Sequence, residues 1–218
     1  MTGTLISPDL SELSPQLAEP LRLAVLASGN GSNLAAIAAA IENGDLNATI
    51  QVVIYNNPAA KVAERAAQRQ LPAVLLNHRT FASRAALDEA IVQTSQDAGA
   101  DWVIMAGWMR RVTAVLIQAF PQRILNIHPS LLPSFPGLRA VDQALAAGVK
   151  ITGCTVHYVE LEIDSGPIIA QAAVPVLADD TAASLQARIQ QQEYRIYPAA
   201  IAIAAQLAGK STAIKLHT

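Results

Sequence analysis

Three polar residues in the second half of the chain have the types and spacing needed for acyl-group chemistry. Asn126 and His128 lie two residues apart at the end of an apolar run that starts at Ile124, and Asp164 lies in a downstream Asp-Ser-Gly-Pro segment. Residues i and i+2 of a strand point to the same face, so the amide and the imidazole can face one small volume. An amide can stabilise a developing oxyanion, and an imidazole can supply a proton. The pair indicates a candidate catalytic site, although a histidine at a strand end can also be purely structural.

The elements that position these residues follow from an alternation of strand-like and helix-like segments. Short apolar runs typical of buried strands cover residues 21–27, 49–54, 73–76, 102–105 and 124–127. Segments typical of helices cover residues 33–41, 61–70, 83–98 and 112–119. Nearly continuous apolar strands that alternate with helices indicate a parallel sheet covered by helices on both faces.

The pattern changes in the last third of the chain. Residues 152–159 and 168–176 are strand-like and flank a turn that contains Asp164, so we expect them to pair antiparallel. Residues 185–207 predict a closing helix that is bent or split at Pro198. The predicted fold class is therefore α/β, with a doubly wound, mostly parallel, Rossmann-like sheet, a C-terminal antiparallel hairpin and a closing helix.

Length, charge and hydropathy restrict the class of protein. A chain of 218 residues is long enough for one α/β domain, which we assign to residues 21–209, with a flexible leader at 1–20 and a short C-terminal tail at 210–218. The formal net charge is -2 and no long basic run occurs, which argues against a nucleic-acid or anionic-membrane partner. No apolar run reaches the ~18–20 residues of a membrane span, and the leader lacks the features of a secretory signal.

The cysteine and histidine content indicates neither a disulfide nor a metal site. Cys154 is the only cysteine, which excludes an intramolecular disulfide and is typical of a reducing compartment. We therefore expect a cytoplasmic protein. His78, His157 and His217 are too scattered along the chain to make a persuasive metal site, so no metal is expected.

A glycine-rich segment, Ser28-Gly29-Asn30-Gly31-Ser32-Asn33, joins the first predicted strand to the first predicted helix. Glycines allow a tight turn, and the N-terminus of a helix offers N–H groups and partial positive charge, so the segment can cradle a phosphate. A dinucleotide fingerprint fits poorly, because Leu34 occupies the third glycine position and no acidic residue ends the second strand. A simple turn is the alternative, but the position directly after a strand favours a single-phosphate site.

The segment Asn126-Ile127-His128-Pro129-Ser130-Leu131-Leu132-Pro133, together with Asp164 before Gly166-Pro167, resembles the formyltransferases that use 10-formyltetrahydrofolate. The resemblance runs from about residue 21 to about residue 208. It implies that Asn126, His128 and Asp164 form a catalytic triad. In that triad Asn126 and protonated His128 would stabilise the tetrahedral oxyanion, and the Asp164 carboxylate would favour the protonated form of His128.

The glycine-rich segment resembles that of the family members that act in purine biosynthesis, whose acceptor is glycinamide ribonucleotide. This resemblance implies that Gly31, Ser32 and Asn33 hold the phosphate of that acceptor. It implies more weakly that Gln190 and Glu193 contact the ribose or the amine end. A solvated helix face is the alternative for these two residues.

The family resemblance also implies a folate site after the predicted strand 102–105. The residues that match the family's folate-contacting positions are Arg84, Met109, Arg110, Arg111, Val112 and Asn126. Arg110 and Arg111 could also simply form a solvated face. One departure is that many relatives carry His-x-His where this chain has Arg139-Ala140-Val141.

The implied reaction uses two small molecules, glycinamide ribonucleotide and 10-formyltetrahydrofolate as co-substrate, with no metal, in a monomer or homodimer. Two alternatives share the chemistry: a formyltransferase for methionyl-tRNA and a formyltetrahydrofolate hydrolase. Each usually carries an additional domain for which this chain offers no obvious room. A third alternative is a non-catalytic phosphate-ligand binding module, in which Asn126, His128 and Asp164 would be structural.

Overall fold

The structure is a computed structural model that describes residues 5–10 and 19–215 of the chain. The strands are β1 (Ile6–Ser7), β2 (Leu21–Ala27), β3 (Ala48–Tyr55), β4 (Ala73–Leu75), β5 (Trp102–Met105), β6 (Ile124–His128), β7 (Ile151–Tyr158) and β8 (Ile168–Pro175). The helices are α1 (Ser32–Glu42), α2 (Val62–Gln68), α3 (Arg84–Asp97), α4 (Ala114–Ala119), α5 (Ala140–Ala147) and α6 (Ala182–Lys215). Predictions for 1–4, 11–18 and 216–218, including the one for His217, lie outside the described residues.

The strands form one sheet in the order β1-β8-β7-β6-β5-β2-β3-β4. The pairs that involve β2, β3, β4, β5 and β6 among themselves are parallel. The pairs β6–β7, β7–β8 and β1–β8 are antiparallel. The predicted doubly wound sheet with a C-terminal antiparallel hairpin is therefore confirmed. Strand order reverses between β2 and β5, and open α/β sheets bind ligands at such a switch point.

Helices cover both faces of the sheet, and strand alternation divides the core into two clusters. In β2, Leu23 and Val25 join a cluster with buried residues of α1, α2, α5 and α6, whereas Ala24 and Leu26 join a cluster with α3 and α4. The same alternation operates in β6, where Leu125 faces the first cluster. Asn126 and His128 therefore lie on the opposite face, which α3 and α4 cover only in part.

Two helices differ from the predictions. A helix that was not predicted, α5, follows Arg139, whose left-handed conformation (φ 60°) starts the helix without a side-chain cap. Within the predicted flexible leader, Ile6 and Ser7 pair with β8 as an edge strand. The boundaries of the domain at residues 21 and 209 stay predictions.

The closing helix α6 is continuous through Pro198 and reaches Lys215, so it is not split. Proline removes one backbone donor from a helix, but strong packing can compensate for that loss. Tyr197, the preceding residue, is fully buried, and its hydroxyl shares one proton between the carbonyl oxygens of Met105 (3.2 Å) and Leu125 (3.1 Å). These bonds fasten α6 under β5 and β6. No helix among the described residues is long and apolar enough to cross a membrane.

Candidate active site

Strand β6 brings two of the predicted catalytic residues to one edge of the sheet. It lies between β5, where Met105 is opposite Asn126, and β7, where His157 is opposite Asn126. His128 is the last residue of β6, and its side chain is buried. The chain then turns away through a loop, so the amide and the imidazole are presented where the strand ends.

Asp164 completes this group from the loop between β7 and β8. Its Oδ2 lies 3.2 Å from Nδ1 of His128, and only 7% and 10% of the His128 and Asp164 side chains are exposed. The N–H of Gly137 donates a hydrogen bond of 2.8 Å to the same Oδ2. The structure therefore brings all three predicted triad residues together, because Asn126 Nδ2 also lies 3.5 Å from Asp164 Oδ1.

Both ring nitrogens of His128 face hydrogen-bond acceptors. Its Nδ1 faces the Asp164 carboxylate, and its Nε2 lies 2.8 Å from the carbonyl oxygen of Phe135. Both partners are hydrogen-bond acceptors, and only the imidazolium carries a proton on each nitrogen. A neutral ring would leave one acceptor facing a lone pair. The carbonyl of Phe135 thus lies at Nε2 and the carboxylate of Asp164 at Nδ1, so both ring nitrogens have a partner.

His157 is a fourth member of the cluster that the sequence did not reveal. Its Nε2 lies 3.6 Å from Asp164 Oδ1 and 3.3 Å from Asn126 Nδ2. Its Nδ1 lies 2.7 Å from the carbonyl oxygen of Tyr158, which can only accept, so this nitrogen carries a proton. The signal that could have found His157 is strand alternation: Cys154 and Val156 face the α6 side, which leaves His157 on the face of Asn126.

The electrostatic environment keeps Asp164 ionised. Burial alone raises the pKa of Asp164, but hydrogen bonding from His157, the N–H of Gly137 and the charge of His128 oppose this effect. The net result is a pKa below the ordinary value for an aspartate. An anionic Asp164 is the charge state that these hydrogen bonds support.

The predicted phosphate loop lies at the N-terminus of α1, at the carboxyl end of β2. Gly31 precedes the helix with φ 72°, a left-handed conformation that glycine adopts without strain. A Cβ atom at Gly31 would lie 2.7 Å from Cγ2 of Val62, so α2 leaves no space for a side chain. The first N–H groups of a helix have no partner within that helix, and here they follow directly after Gly31. The loop can therefore offer several amide donors to an anion.

The side chains of Asn33 and Glu193 face each other behind this loop. Asn33 Nδ2 donates a hydrogen bond of 2.9 Å to Glu193 Oε2, and Glu193 is 5% exposed. Burial raises the pKa of Glu193, although the hydrogen bond from Asn33 opposes the rise. Glu193 is therefore not part of a solvated face. Gln190, one turn earlier on α6, is half-buried.

A cavity of about 440 Å³ opens beside the triad. Its lining includes five of the residues predicted for the folate site, Met109, Arg110, Arg111, Val112 and Asn126. It also includes His128, His157, Asp164 and the apolar residues Leu138, Leu161 and Ile163. Arg84 does not line the cavity; it lies exposed at the start of α3. The volume lies within the ~300–1,000 Å³ of small-molecule pockets.

Ser28, the first residue after β2, connects the phosphate loop to the wall of this cavity. Its N–H donates a hydrogen bond of 3.1 Å to the carbonyl of Gly107. Its hydroxyl accepts a hydrogen bond of 2.9 Å from the N–H of Met109. The backbone and the side chain of Ser28 thus both connect the phosphate loop to the segment of Gly107 and Met109. Within the described residues, no three His, Cys, Asp or Glu side chains are grouped so that they could hold a metal ion.

Comparison with known proteins shows extensive similarity. The family model described as formyl transferase matches residues 21–201, a range that contains every residue predicted for the site. The phosphoribosylglycinamide formyltransferase of Bacillus subtilis (strain 168) is 41% identical over 180 residues, which cover 83% of this chain and 92% of that protein. The crystal structure of glycinamide ribonucleotide transformylase 1 from Symbiobacterium toebii is similar with a TM-score of 0.85 and 46% identity, covering 89% of this chain and 92% of that one. The crystal structure of phosphoribosylglycinamide formyltransferase from Bacillus halodurans is similar with a TM-score of 0.81 and 44% identity, covering 83% and 93%.

Proposed function

The chain belongs to the formyl transferase family, and from this membership we propose that it transfers a formyl group from 10-formyltetrahydrofolate to the amine of glycinamide ribonucleotide, a step of purine biosynthesis. The observation that carries the proposal is the position of the triad. Asn126, His128 and Asp164 lie at the wall of the 440 Å³ cavity. The phosphate loop lies next to it across Ser28.

The proposed reaction needs no covalent enzyme intermediate. The amine nitrogen of the ribonucleotide attacks the formyl carbon, and the carbonyl electron pair moves to the formyl oxygen. The bond between that carbon and N10 of the folate then breaks. The attacking amine loses one proton and N10 gains one, so the products are the formylated ribonucleotide and tetrahydrofolate. A water molecule next to Asp164 carries the proton between the two nitrogens.

The triad has the groups that such a transition state requires. The amide of Asn126 is a donor for the oxyanion, one such donor contributing about 10²–10³ in rate, and the positive charge of protonated His128 stabilises the same oxyanion. The anionic Asp164 holds the imidazolium at 3.2 Å. Burial of these side chains strengthens each electrostatic interaction, because little water remains to screen it.

The cavity fits a folate better than a purely polar ligand. Exposed apolar side chains, among them Met109 and Leu161, surround its mouth and can cover flat rings. Arg110 and Arg111 line the same cavity and can pair with the carboxylates of the glutamate part. We place the pterin ring along Met109 to Val112, and assign Arg84 a more distant contact at the start of α3.

The acceptor is proposed to bind at the other half of the site. The amides of Gly31, Ser32 and Asn33 bind the phosphate, supported by the position of Gly31 at the N-terminus of α1. Gln190 and Glu193 belong to the adjacent face of α6, and Glu193 already contacts Asn33. We propose small-molecule partners only, a cytoplasmic location and a monomer or homodimer, in keeping with the composition of the chain.

An acceptor assay tests the proposal. The protein is incubated with 10-formyltetrahydrofolate and either glycinamide ribonucleotide, methionyl-tRNA or no acceptor, and release of tetrahydrofolate is followed. We expect rapid release only with the ribonucleotide. Turnover with methionyl-tRNA alone, or without any acceptor, would assign one of the two related activities instead. Binding of the ribonucleotide without turnover would indicate a non-catalytic binding module.

A further inference from the structure

Helix α2 packs against the phosphate loop, and its residue Arg65 has no role in the reaction proposed above. The Nε–H of Arg65 donates a hydrogen bond of 2.6 Å to the carbonyl oxygen of Asn30. The N–H of Val62 donates one of 3.1 Å to the carbonyl oxygen of Gly29. Two successive carbonyls of the loop therefore point toward α2.

The direction of a carbonyl determines the direction of the next amide. The peptide bonds after Gly29 and Asn30 are trans, and in a trans peptide the C=O and the following N–H point in opposite directions. Since the Asn30 carbonyl points at Arg65, the N–H of Gly31 points away from α2. The same reasoning turns the N–H of Asn30 away from Val62. Both amides thus point away from α2.

The charge of Arg65 makes its hydrogen bond to the Asn30 carbonyl stronger than a bond from a neutral donor. A hydrogen bond from a guanidinium is roughly twice as strong as one between neutral groups. Within the part of the chain that the structure describes, no carboxylate lies within ion-pair distance of Arg65. The side chain is half-buried and lines a groove of about 530 Å³ together with Ser32 and Tyr194. Asp45 lines the same groove but forms no ion pair with Arg65, so a guanidinium without a direct carboxylate partner shares this groove with the first residue of α1.

We propose that Arg65 is a positioning residue for the acceptor's phosphate: by holding the Asn30 carbonyl it turns the Gly31 N–H toward the phosphate, and its charge attracts the anion through the loop. This inference rests on the proposed function, because it assumes that the loop binds a phosphate. Arg65 does not touch the ligand in this arrangement. It differs from Gly31, Ser32 and Asn33, whose amides make the contact.

The test compares Arg65→Gln, which removes the charge, with Arg65→Lys, which retains it without the planar fork. Arg69→Gln is the matched control. Arg69 is the residue directly after α2, and it pairs with Glu42 at 3.6 Å instead of forming a hydrogen bond to the loop. For Arg65→Gln we expect the KM for glycinamide ribonucleotide to rise about 10-fold, the effect of losing one charge-assisted hydrogen bond. Arg65→Lys should recover part of this loss. The KM for the folate and kcat should stay unchanged, as should all three parameters in Arg69→Gln.

A second measurement does not depend on turnover. Inorganic phosphate is titrated into the wild-type protein and each variant, and the dissociation constant is measured by calorimetry. We expect weaker binding in Arg65→Gln and unchanged binding in Arg69→Gln. If phosphate binds Arg65→Gln as tightly as the wild type, or if both substrates lose affinity equally, the inference is overturned. If the wild type binds phosphate through Arg65 but does not formylate the ribonucleotide, the proposed function fails and the role of Arg65 stands.

Discussion

Replacement of Gly31 by alanine tests the close contact between the phosphate loop and α2. Gly31 has a φ of 72°, and a Cβ atom there would lie 2.7 Å from Cγ2 and 2.9 Å from Cβ of Val62. Its Cβ would also lie 3.0 Å from the backbone Cα of Val62, so a change of side-chain rotamer cannot relieve the clash. Gly29 provides the matched control, because a Cβ at that position has no atom within 4 Å.

Two costs are expected in Gly31→Ala. Holding an L-residue in the left-handed region costs roughly 1–2 kcal/mol of conformational free energy. Overpacking against the fully buried Val62 adds about 1–3 kcal/mol, as is typical when a methyl group is forced into a filled core. The free energy of unfolding should therefore fall by about 2–5 kcal/mol in Gly31→Ala. Gly29→Ala should leave it nearly unchanged.

Urea unfolding of Gly31→Ala, Val62→Ala and the double variant measures how much of the crowding comes from Cγ2 of Val62. Val62→Ala removes Cγ2, the atom of the shortest contact, but keeps Cβ and Cα, so part of the crowding and all of the backbone strain remain. The double variant should then be more stable than the sum of the single effects indicates, by a part of the ~1–3 kcal/mol of overpacking. The KM for glycinamide ribonucleotide should be higher in Gly31→Ala than in the wild type. In the double variant it should return part of the way to the wild-type value. Strict additivity of the two changes, or equal destabilisation by Gly29→Ala, would refute the reasoning.

Three further predictions concern the charged cluster. Asp164→Asn should lower kcat by roughly 10²–10⁴, the usual size of lost acid–base assistance, while both KM values stay close to wild type in steady-state assays; an unchanged kcat would remove Asp164 from the mechanism. Because folding lowers the pKa of Asp164, its contribution to stability is present above the unfolded value near ~3.9 and is lost as the pH falls through the folded value. The difference in unfolding free energy between the wild type and Asp164→Asn should therefore vanish in acid, and a difference that persists there would contradict this. His157→Phe should lower kcat by about 10-fold, because Asp164 loses the hydrogen bond from His157, and an effect only on KM would argue against that role.

The fold could be predicted because its strands are determined locally. Residues 21–27 and 102–105 were expected as strands with the bounds that the structure shows, since strands buried on both faces are nearly continuously apolar. Helix α5 was missed because it lacks a side-chain cap that could mark its start. The continuity of α6 through Pro198 depends on burial in the tertiary structure, which local propensity does not contain.

The candidate site was predictable to the extent that its residues share one strand or one loop. Asn126 and His128 could be paired by strand alternation, and the family resemblance added Asp164. The contributions of Gly137 and Phe135 could not be predicted, because they depend on how a loop folds back. Strand alternation could have indicated the face on which His157 lies, but its position opposite Asn126 depends on the register between β6 and β7. Such long-range geometry leaves no local pattern in the sequence. The roles of the individual residues remain predictions.

Ser28 acts as a spacer of fixed length between two binding segments. One hydrogen bond from its backbone and one to its hydroxyl fasten the phosphate loop to the segment of Gly107 and Met109 before any ligand arrives. For the proposed reaction, the distance from bound phosphate to bound formyl group is then a property of the protein. The acceptor's amine reaches the formyl carbon only if its distance from the phosphate matches this fixed spacing. A phosphorylated amine that is shorter or longer than glycinamide ribonucleotide is therefore expected to bind through its phosphate without reacting. Selectivity by length of this kind needs no additional contact with the middle of the substrate.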